Sequence, residues 1–228
     1  CDGALAICPT HCSADGDCAT GNYCNATAAC VPLLTQGTAC TASSQCTTKN
    51  CVDGYCCNTA CSGSCDACSV AKGATTNGTC GILTSGSTGD PSCNAYVCDG
   101  TNATCPATCT SDTNCSTGNY CNAQKACVPK AAQGTACTAS SQCASNNCVD
   151  GFCCNSACAT TCMACSAAKT GGTNGTCANI PVNTDPDSEC TGTLSCNGTA
   201  ACQLAQGTAC TTSAQCGSGF CVDGFCCN

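Results

Sequence analysis

No segment of this chain spaces Leu, Ile, Val or Phe at the three-and-four interval of an amphipathic helix. The regular spacing belongs to cysteine instead. Cys12, Cys18, Cys24 and Cys30 follow one another at a constant interval. Cys40, Cys46, Cys51 and Cys56 nearly repeat it, so the second group reads as a cousin of the first. Between the cysteines lie polar residues and turn signals: Asp53-Gly54, Asn77-Gly78, Asp99-Gly100, Asn174-Gly175 and Asn197-Gly198. Asn-Gly and Asp-Gly favour two-residue hairpin turns, whose central residues both need positive φ. The string CVDGYCCN (51–58) returns as CVDGFCCN at 148–155 and 221–228. It predicts a minimal hairpin with Val52 opposite Tyr55 and the turn on Asp53 and Gly54. Asp150 and Gly151, then Asp223 and Gly224, take those places in the later copies, and the cysteines at the base bridge outward. One short helical turn is expected at 66–73, stopped by Gly73.

These strings belong to a longer period. CATGNYCNATAACVP (18–32) becomes CSTGNYCNAQKACVP (115–129), and QGTACTASSQCTTKNCVDGYCCN (36–58) becomes QGTACTASSQCASNNCVDGFCCN (133–155). Self-similarity at a fixed offset marks a repeat architecture. Residues 1–97 form a first repeat and 98–195 a second. A partial third, 196–228, opens at CNGTAAC, lacks the block equivalent to 109–127 and stops after CCN, as an excerpt of a longer array would. The expected fold is a set of small disulfide-rich repeats: short β-hairpins and turns, little helix, no large hydrophobic core, in an elongated array.

Composition explains why. The chain has 228 residues, 39 of them Cys, with no Trp and one Met. Such a chain cannot build a large apolar core and is stapled by disulfides instead, which places it in an oxidising compartment, extracellular or at a cell surface. Metal clusters fit poorly: Cys-x-Cys never occurs and there is one His. The spacing leaves the disulfide pairing open. Thirty-nine cysteines cannot all pair within one chain, and Cys226 or Cys227 is expected to lack an intrachain partner and to bridge between repeats or subunits.

The net charge of −8 with five basic residues excludes a phosphate-backbone binder, so no nucleic-acid partner is expected. No apolar stretch approaches the ~20 residues of a membrane span. Catalytic chemistry has no anchor. His11 becomes Thr108 in the next copy, which leaves no recurring general base. Cys65/Cys68 and Cys162/Cys165 read as structural bridges rather than redox pairs. The recurring Asp53, Asp150 and Asp223 are explained by the turn and are too few for calcium. The acidic loop NTDPDSEC (183–190) reads as solvated. No enzyme activity, cofactor or metal is expected. Glycan attachment sequons stand at Asn25, Asn77, Asn102, Asn114, Asn174 and Asn197.

The CVDGxCCNxxC core, as in CCNTACSGSCDAC (56–68), resembles the cysteine-rich repeats of large secreted bacterial proteins, the myxobacterial ones especially. The block CSADGDCATGNYCNATAAC (12–30) is also similar to the amino-terminal cysteine-rich region of Dickkopf proteins and, more loosely, to EGF-like modules. The bacterial resemblance implies an extracellular, array-forming protein and brings no catalytic residues. The resulting expectation is a structural segment of a disulfide-crosslinked, glycosylated fibre, filament or stalk, whose partner is itself through head-to-tail contacts. The alternative is a cell-surface adhesin or ligand-binding ectodomain array.

Overall fold

The computed structural model describes residues 11–228. Among them, strands of two or three residues pair into eight two-stranded sheets, and the longest helix is the four-residue Ala167–Thr170. Eighteen disulfides hold these pieces. The result is a set of small disulfide-rich repeats built from hairpins and turns.

Five segments share one design, a two-bridge knot in which the first cysteine pairs with the third and the second with the fourth. The bridges are Cys12–Cys24 with Cys18–Cys30, and Cys40–Cys51 with Cys46–Cys56. The same crossing recurs at 109–127, 137–153 and 210–226. A single 3-10 turn lies between the first and second cysteines, fixed by the residue just before the second. Asp17 Oδ2 accepts the Ser13 N–H at 2.7 Å, and Gln45 Oε1 accepts the Thr41 N–H at 2.8 Å. Asn114, Gln142 and Gln215 do the same in the other knots. The first residue of the turn then receives the third cysteine: Asp15 Oδ1 accepts the Cys24 N–H at 2.9 Å and Ser43 Oγ the Cys51 N–H at 3.2 Å. Asp112, Ser140 and Ser213 repeat this contact. Short side chains thus satisfy backbone donors that a longer ladder would otherwise pair.

The third and fourth cysteines close a hairpin. In 40–56 it is the two-residue kind: Val52 faces Tyr55, Cys51 faces Cys56, and φ is 52° at Asp53 and 82° at Gly54. The copies at Asp150-Gly151 and Asp223-Gly224 are alike. The other Asx-Gly pairs differ from expectation. Gly78, Gly100, Gly175 and Gly198 have positive φ, whereas Asn77, Asp99, Asn174 and Asn197 do not. Their side chains act as local acceptors instead. Asp99 Oδ1 takes the Thr101 and Asn102 N–H groups, and Asn197 Oδ1 takes those of Thr199 and Ala201. An Asx side chain that closes its own turn removes the need for the mirror-image hairpin.

The two remaining segments, 57–105 and 154–202, are four-bridge knots. The first has Cys57–Cys68, Cys61–Cys80, Cys65–Cys98 and Cys93–Cys105. The second matches it bridge for bridge. Their cores are small: Leu83 with Ala67, Ala74 and sulfur in one, Ile180 with Ala164 and sulfur in the other. The expected short turn is present at Val70–Lys72, and Gly73 ends it at φ 103°. These bridges also shift the repeat frame. Cys65–Cys98 and Cys93–Cys105 run across the sequence boundary between 97 and 98, so the covalent unit straddles it.

The opening of the partial third repeat combines two knots. Cys196 and Cys202 bond to Cys162 and Cys190, as Cys98 and Cys105 bond to Cys65 and Cys93. Their backbone, however, follows the hairpins of the two-bridge knots. Leu194–Cys196 pairs with Cys202–Leu204 just as Asn22–Cys24 pairs with Cys30–Pro32. Asn25 and Asn197 each take the N–H groups two and four residues on, and Ala28, Lys125 and Ala200 share φ near 60° (57°, 60° and 62°). One hairpin here does the work of two, and the chain passes directly to the knot at 210–226.

The chain divides into two compact units: one runs to Thr117 and includes Cys121–Val128, the other comprises Gly118–Tyr120 and Pro129–Asn228. Two-bridge knots 12–30 and 40–56 and four-bridge knot 57–105 lie in the first. The knots at 137–153, 154–202 and 210–226 lie in the second.

Disulfides closing loops of this length each stabilise by about 3 kcal/mol in the chain-entropy model. Full reduction is therefore expected to abolish the dispersed amide NMR spectrum, whereas EDTA with the disulfides intact leaves it unchanged. A spectrum that collapses in EDTA alone would show a metal-supported fold.

Candidate functional site at the knot junction

The Cys-Cys doublet divides its labour. Cys56 bonds back to Cys46 inside its own knot, while Cys57 bonds forward to Cys68 in the next one. Cys153 and Cys154 do likewise with Cys143 and Cys165. Around the forward bridge, the two-bridge knot presents a set of groups that the following segment fits. Asp53 Oδ2 accepts the Cys68 N–H at 2.7 Å. The Asn58 N–H donates to Gly78 O at 2.9 Å, and Asn58 Oδ1 accepts the Cys80 N–H at 2.8 Å. Gln36 Nε2 donates to Thr79 Oγ1 at 3.1 Å. Gly37 and Gly78 pack backbone to backbone, so closely that a Cβ on Gly78 would lie 2.3 Å from the Gly37 nitrogen.

The second junction is a copy. Asp150 Oδ2 accepts the Cys165 N–H at 2.6 Å, Asn155 brackets Gly175 and Cys177, and Gln133 Nε2 reaches Thr176 Oγ1 at 3.1 Å. Gly134 and Gly175 repeat the close approach, at 2.2 Å. The recurrence of Asp53 and Asp150 therefore has a second cause beyond the turn: their carboxylates hold the neighbouring knot. The signal in the sequence was that Asp never alternates with Asn in a turn that accepts either.

Charge adds to the second junction. Lys169 is ion-paired with both Asp150 and Asp187. Burial pushes the Asp150 carboxyl up, but the Cys165 N–H and the Lys169 ammonium outweigh it and hold it below the ordinary 3.8. Burial likewise lowers Lys169, and its two carboxylates outweigh that and raise it above 10.5. In the first junction Lys72 pairs with exposed Asp90 at 2.5 Å instead. The loop at 183–190 is thus more than solvated. Asp187 pairs with Lys169, Asp185 accepts the Glu189 and Cys190 N–H groups at 3.0 Å each, and Glu189 Oε2 accepts the Cys162 N–H. Shallow clefts lie at equivalent places beside these lysines. One of about 610 Å³ is lined by Lys72, Leu83, Thr88 and Asp90, and one of about 510 Å³ by Lys169, Pro181, Thr184 and Asp185.

The third copy carries Gln206, Asp223 and Asn228 where the first carries Gln36, Asp53 and Asn58. Cys226 closes its knot onto Cys216, which corrects the expectation that it could bridge between repeats or subunits, because the hairpin base sets it opposite its own knot. Cys227 has no disulfide partner among the described residues. Cys65 and Cys68 do not bond to each other but to Cys98 and Cys57, and Cys162 and Cys165 bond to Cys196 and Cys154. Sulfurs that gather in threes, such as Cys40, Cys46 and Cys56, belong to neighbouring disulfides. His11 is exposed. Of the sequon residues, Asn77 and Asn174 are exposed and use Oδ1 to accept the Val70 and Ala167 N–H groups, at 2.9 and 2.8 Å. Asn102 and Asn197 engage Nδ2 with Asp99 and Gln203. Asn25 and Asn114 are half-buried acceptors within their knots.

Gly78→Ala is expected to open the first junction and to cost more than about 1 kcal/mol, since φ is 89° and the contacted atoms are backbone. Faster hydrogen exchange at the Asn58 and Cys80 amides, with 12–30 unchanged, measures it. The lowered Asp150 makes a contribution that is full at neutral pH and lost as pH falls through its folded value, below 3.8. The raised Lys169 makes one that is lost only as pH rises beyond 10.5. A carboxyl titration by NMR is expected to place the Asp150 midpoint below 3.8, with the Cys165 amide shift moving alongside it.

No known protein-family model, curated protein or solved structure matches this chain.

Proposed function

We propose that this chain is a structural segment of an extracellular fibre, filament or surface stalk, of the kind found in secreted bacterial repeat arrays. The coarse part of that reading follows from the bridges. Eighteen disulfides among the described residues, with so small a core, belong to an oxidising, non-cytoplasmic setting and to a structural or ectodomain-like protein. Among the described residues no helix is long and apolar enough to cross a membrane. The single observation that carries the finer reading is the knot junction, made twice from the same residues. Units joined head to tail by one repeated contact grow a filament wherever the rotation between them does not close a ring. The role is architectural rather than enzymatic, and exposed Asn77 and Asn174 are the sequons best placed to carry glycans.

A ligand-binding ectodomain array is the second reading. The paired clefts beside Lys72 and Lys169 favour it. Electron micrographs of the purified protein separate the two. Fibres of constant width, resistant to detergent until reduced, are expected for the structural reading. Dispersed monomers would favour the ectodomain.

A further inference from the structure

In the second four-bridge knot two disulfides lie against each other. Cys162 Sγ, bonded to Cys196, is 3.5 Å from Cys190 Sγ and 3.9 Å from Cys202 Sγ, the two halves of the neighbouring bridge. The four cysteines share one small cluster with Ala164 and Ile180. Cys162 and Cys196 are buried in it, whereas Cys190 and Cys202 are half-buried. The backbone sets the same cysteines in two other pairs. The Cys162 N–H donates to Glu189 Oε2, which holds Cys162 beside Cys190 by a tie that does not depend on its sulfur. Cys196 and Cys202 face each other in the hairpin 194–204. The Cys196 N–H and C=O bond to Thr184 and Asn183, at 3.0 and 2.9 Å, so Cys196 and Cys202 are a non-hydrogen-bonded pair. The Cα atoms of such a pair stand about 4.5 Å apart, within the span of a disulfide. The first four-bridge knot shares the sulfur contact, Cys65 to Cys93 at 3.4 Å, but not the backbone. There the Cys65 N–H donates to Ala103 O at 2.7 Å, in the loop between Cys98 and Cys105, and no strand pair sets Cys98 opposite Cys105.

We propose that Cys162, Cys190, Cys196 and Cys202 form a thiol-exchange site, at which a small thiol such as glutathione converts the two native bridges into Cys162–Cys190 and Cys196–Cys202. The thiolate attacks half-buried Cys202 Sγ, forms a mixed disulfide there and releases Cys190 as a thiolate. Cys190 Sγ attacks Cys162 Sγ, 3.5 Å away; the Cys162–Cys190 bond forms and Cys196 leaves as a thiolate. Cys196 Sγ then attacks Cys202 Sγ across the hairpin, the Cys196–Cys202 bond forms, and the small thiolate departs. Each step forms one S–S bond and breaks one, so the thiol is regenerated and no oxidant or reductant is consumed. In the native pairing both bridges join the body of the knot to the hairpin 194–204, which leads straight to the knot at 210–226. In the exchanged pairing each bridge lies within one part. The parts are then joined by the peptide chain and by contacts such as those of Asn183 and Thr184. Exchange turns a crosslinked joint between successive knots into a hydrogen-bonded one. The inference goes beyond the fibre reading and does not rest on it, because an ectodomain array carries the same joint.

The test incubates the whole chain with reduced and oxidised glutathione in the absence of denaturant. Samples are quenched in acid at intervals, alkylated and mapped by mass spectrometry. Cys162–Cys190 and Cys196–Cys202 are expected to appear together, with Cys210–Cys221 and Cys216–Cys226 unchanged. They are expected to form at least about tenfold faster than Cys65–Cys93 in the first knot, the scale of one hydrogen bond to a charged group. Glu189→Ala removes the carboxylate that holds the Cys162 amide and should take away most of that advantage. Mapping the variant before glutathione is added, with Cys162–Cys196 and Cys190–Cys202 in place, separates this effect from misfolding. Absence of the Cys162–Cys190 species, equal rates in the two knots, or scrambling that reaches the knot at 210–226 would overturn the proposal. So would a correctly bridged Glu189→Ala chain that exchanges as fast as the parent. Each of these results leaves the micrographs to decide the fibre reading independently.

Discussion

The constraint on which this structure depends is the crossing of two short disulfides within some twenty residues. When the first cysteine pairs with the third and the second with the fourth, neither loop can open without dragging the other. Stability then comes from what the reduced chain would gain in freedom, not from apolar area removed from water. Leu83 and Ile180 are the only Leu or Ile side chains buried among the described residues, one in each four-bridge knot. Everything else in the design follows. With loops so short, backbone donors cannot wait for a long ladder, so Asp, Asn, Gln and Ser fold back onto them one turn away.

Where a single position fixes the geometry, the sequence was informative. Asp53-Gly54 is flanked at once by Val52 and Tyr55 and then by cysteines, which leaves a two-residue hairpin as the compact solution. Gly73 had to stop a helical turn. Asn77-Gly78 and Asn197-Gly198 look like Asp53-Gly54 as letters, yet their Asn side chains are spent on other amides, Asn77 on that of Val70 and Asn197 on those of Thr199 and Ala201. The pairing of cysteines was illegible for a related reason: spacing limits which sulfurs can meet but not the order of crossing. The kinship of CNATAAC, CNAQKAC and CNGTAAC was written in the Asn after the first cysteine and in the equal loop length. The alignment of repeat starts, which matched CNGTAAC to the longer CDGTNATC, obscured it. The carboxylates of Asp187 and Glu189 could not be assigned because their partners, Lys169 and the Cys162 amide, lie about twenty residues or more away.

The candidate site has the same character as the fold. Its specificity lies in backbone amides read by Asp53 and Asn58 and a threonine hydroxyl met by Gln36, with a glycine pair allowing the close approach, rather than in aromatic anchors. A doublet of cysteines suits this task. One sulfur keeps the hairpin in its own knot, and its neighbour, facing the other way, commits the chain to the next. The polar contacts hold the two parts in the geometry that the forward bridge requires.

The shared hairpin at 194–204 has a consequence for how such genes change. A full repeat places six cysteines, Cys98 to Cys127, ahead of the knot at 137–153; the shortened one places two, Cys196 and Cys202, ahead of the matching knot at 210–226. The difference is even, and the hairpin that remains closes both sulfurs left open in the four-bridge knot, Cys162 and Cys190. A recombination between two look-alike loops can therefore delete a whole knot and leave every remaining thiol with a mate. An array of this kind can lose a knot without gaining an odd cysteine.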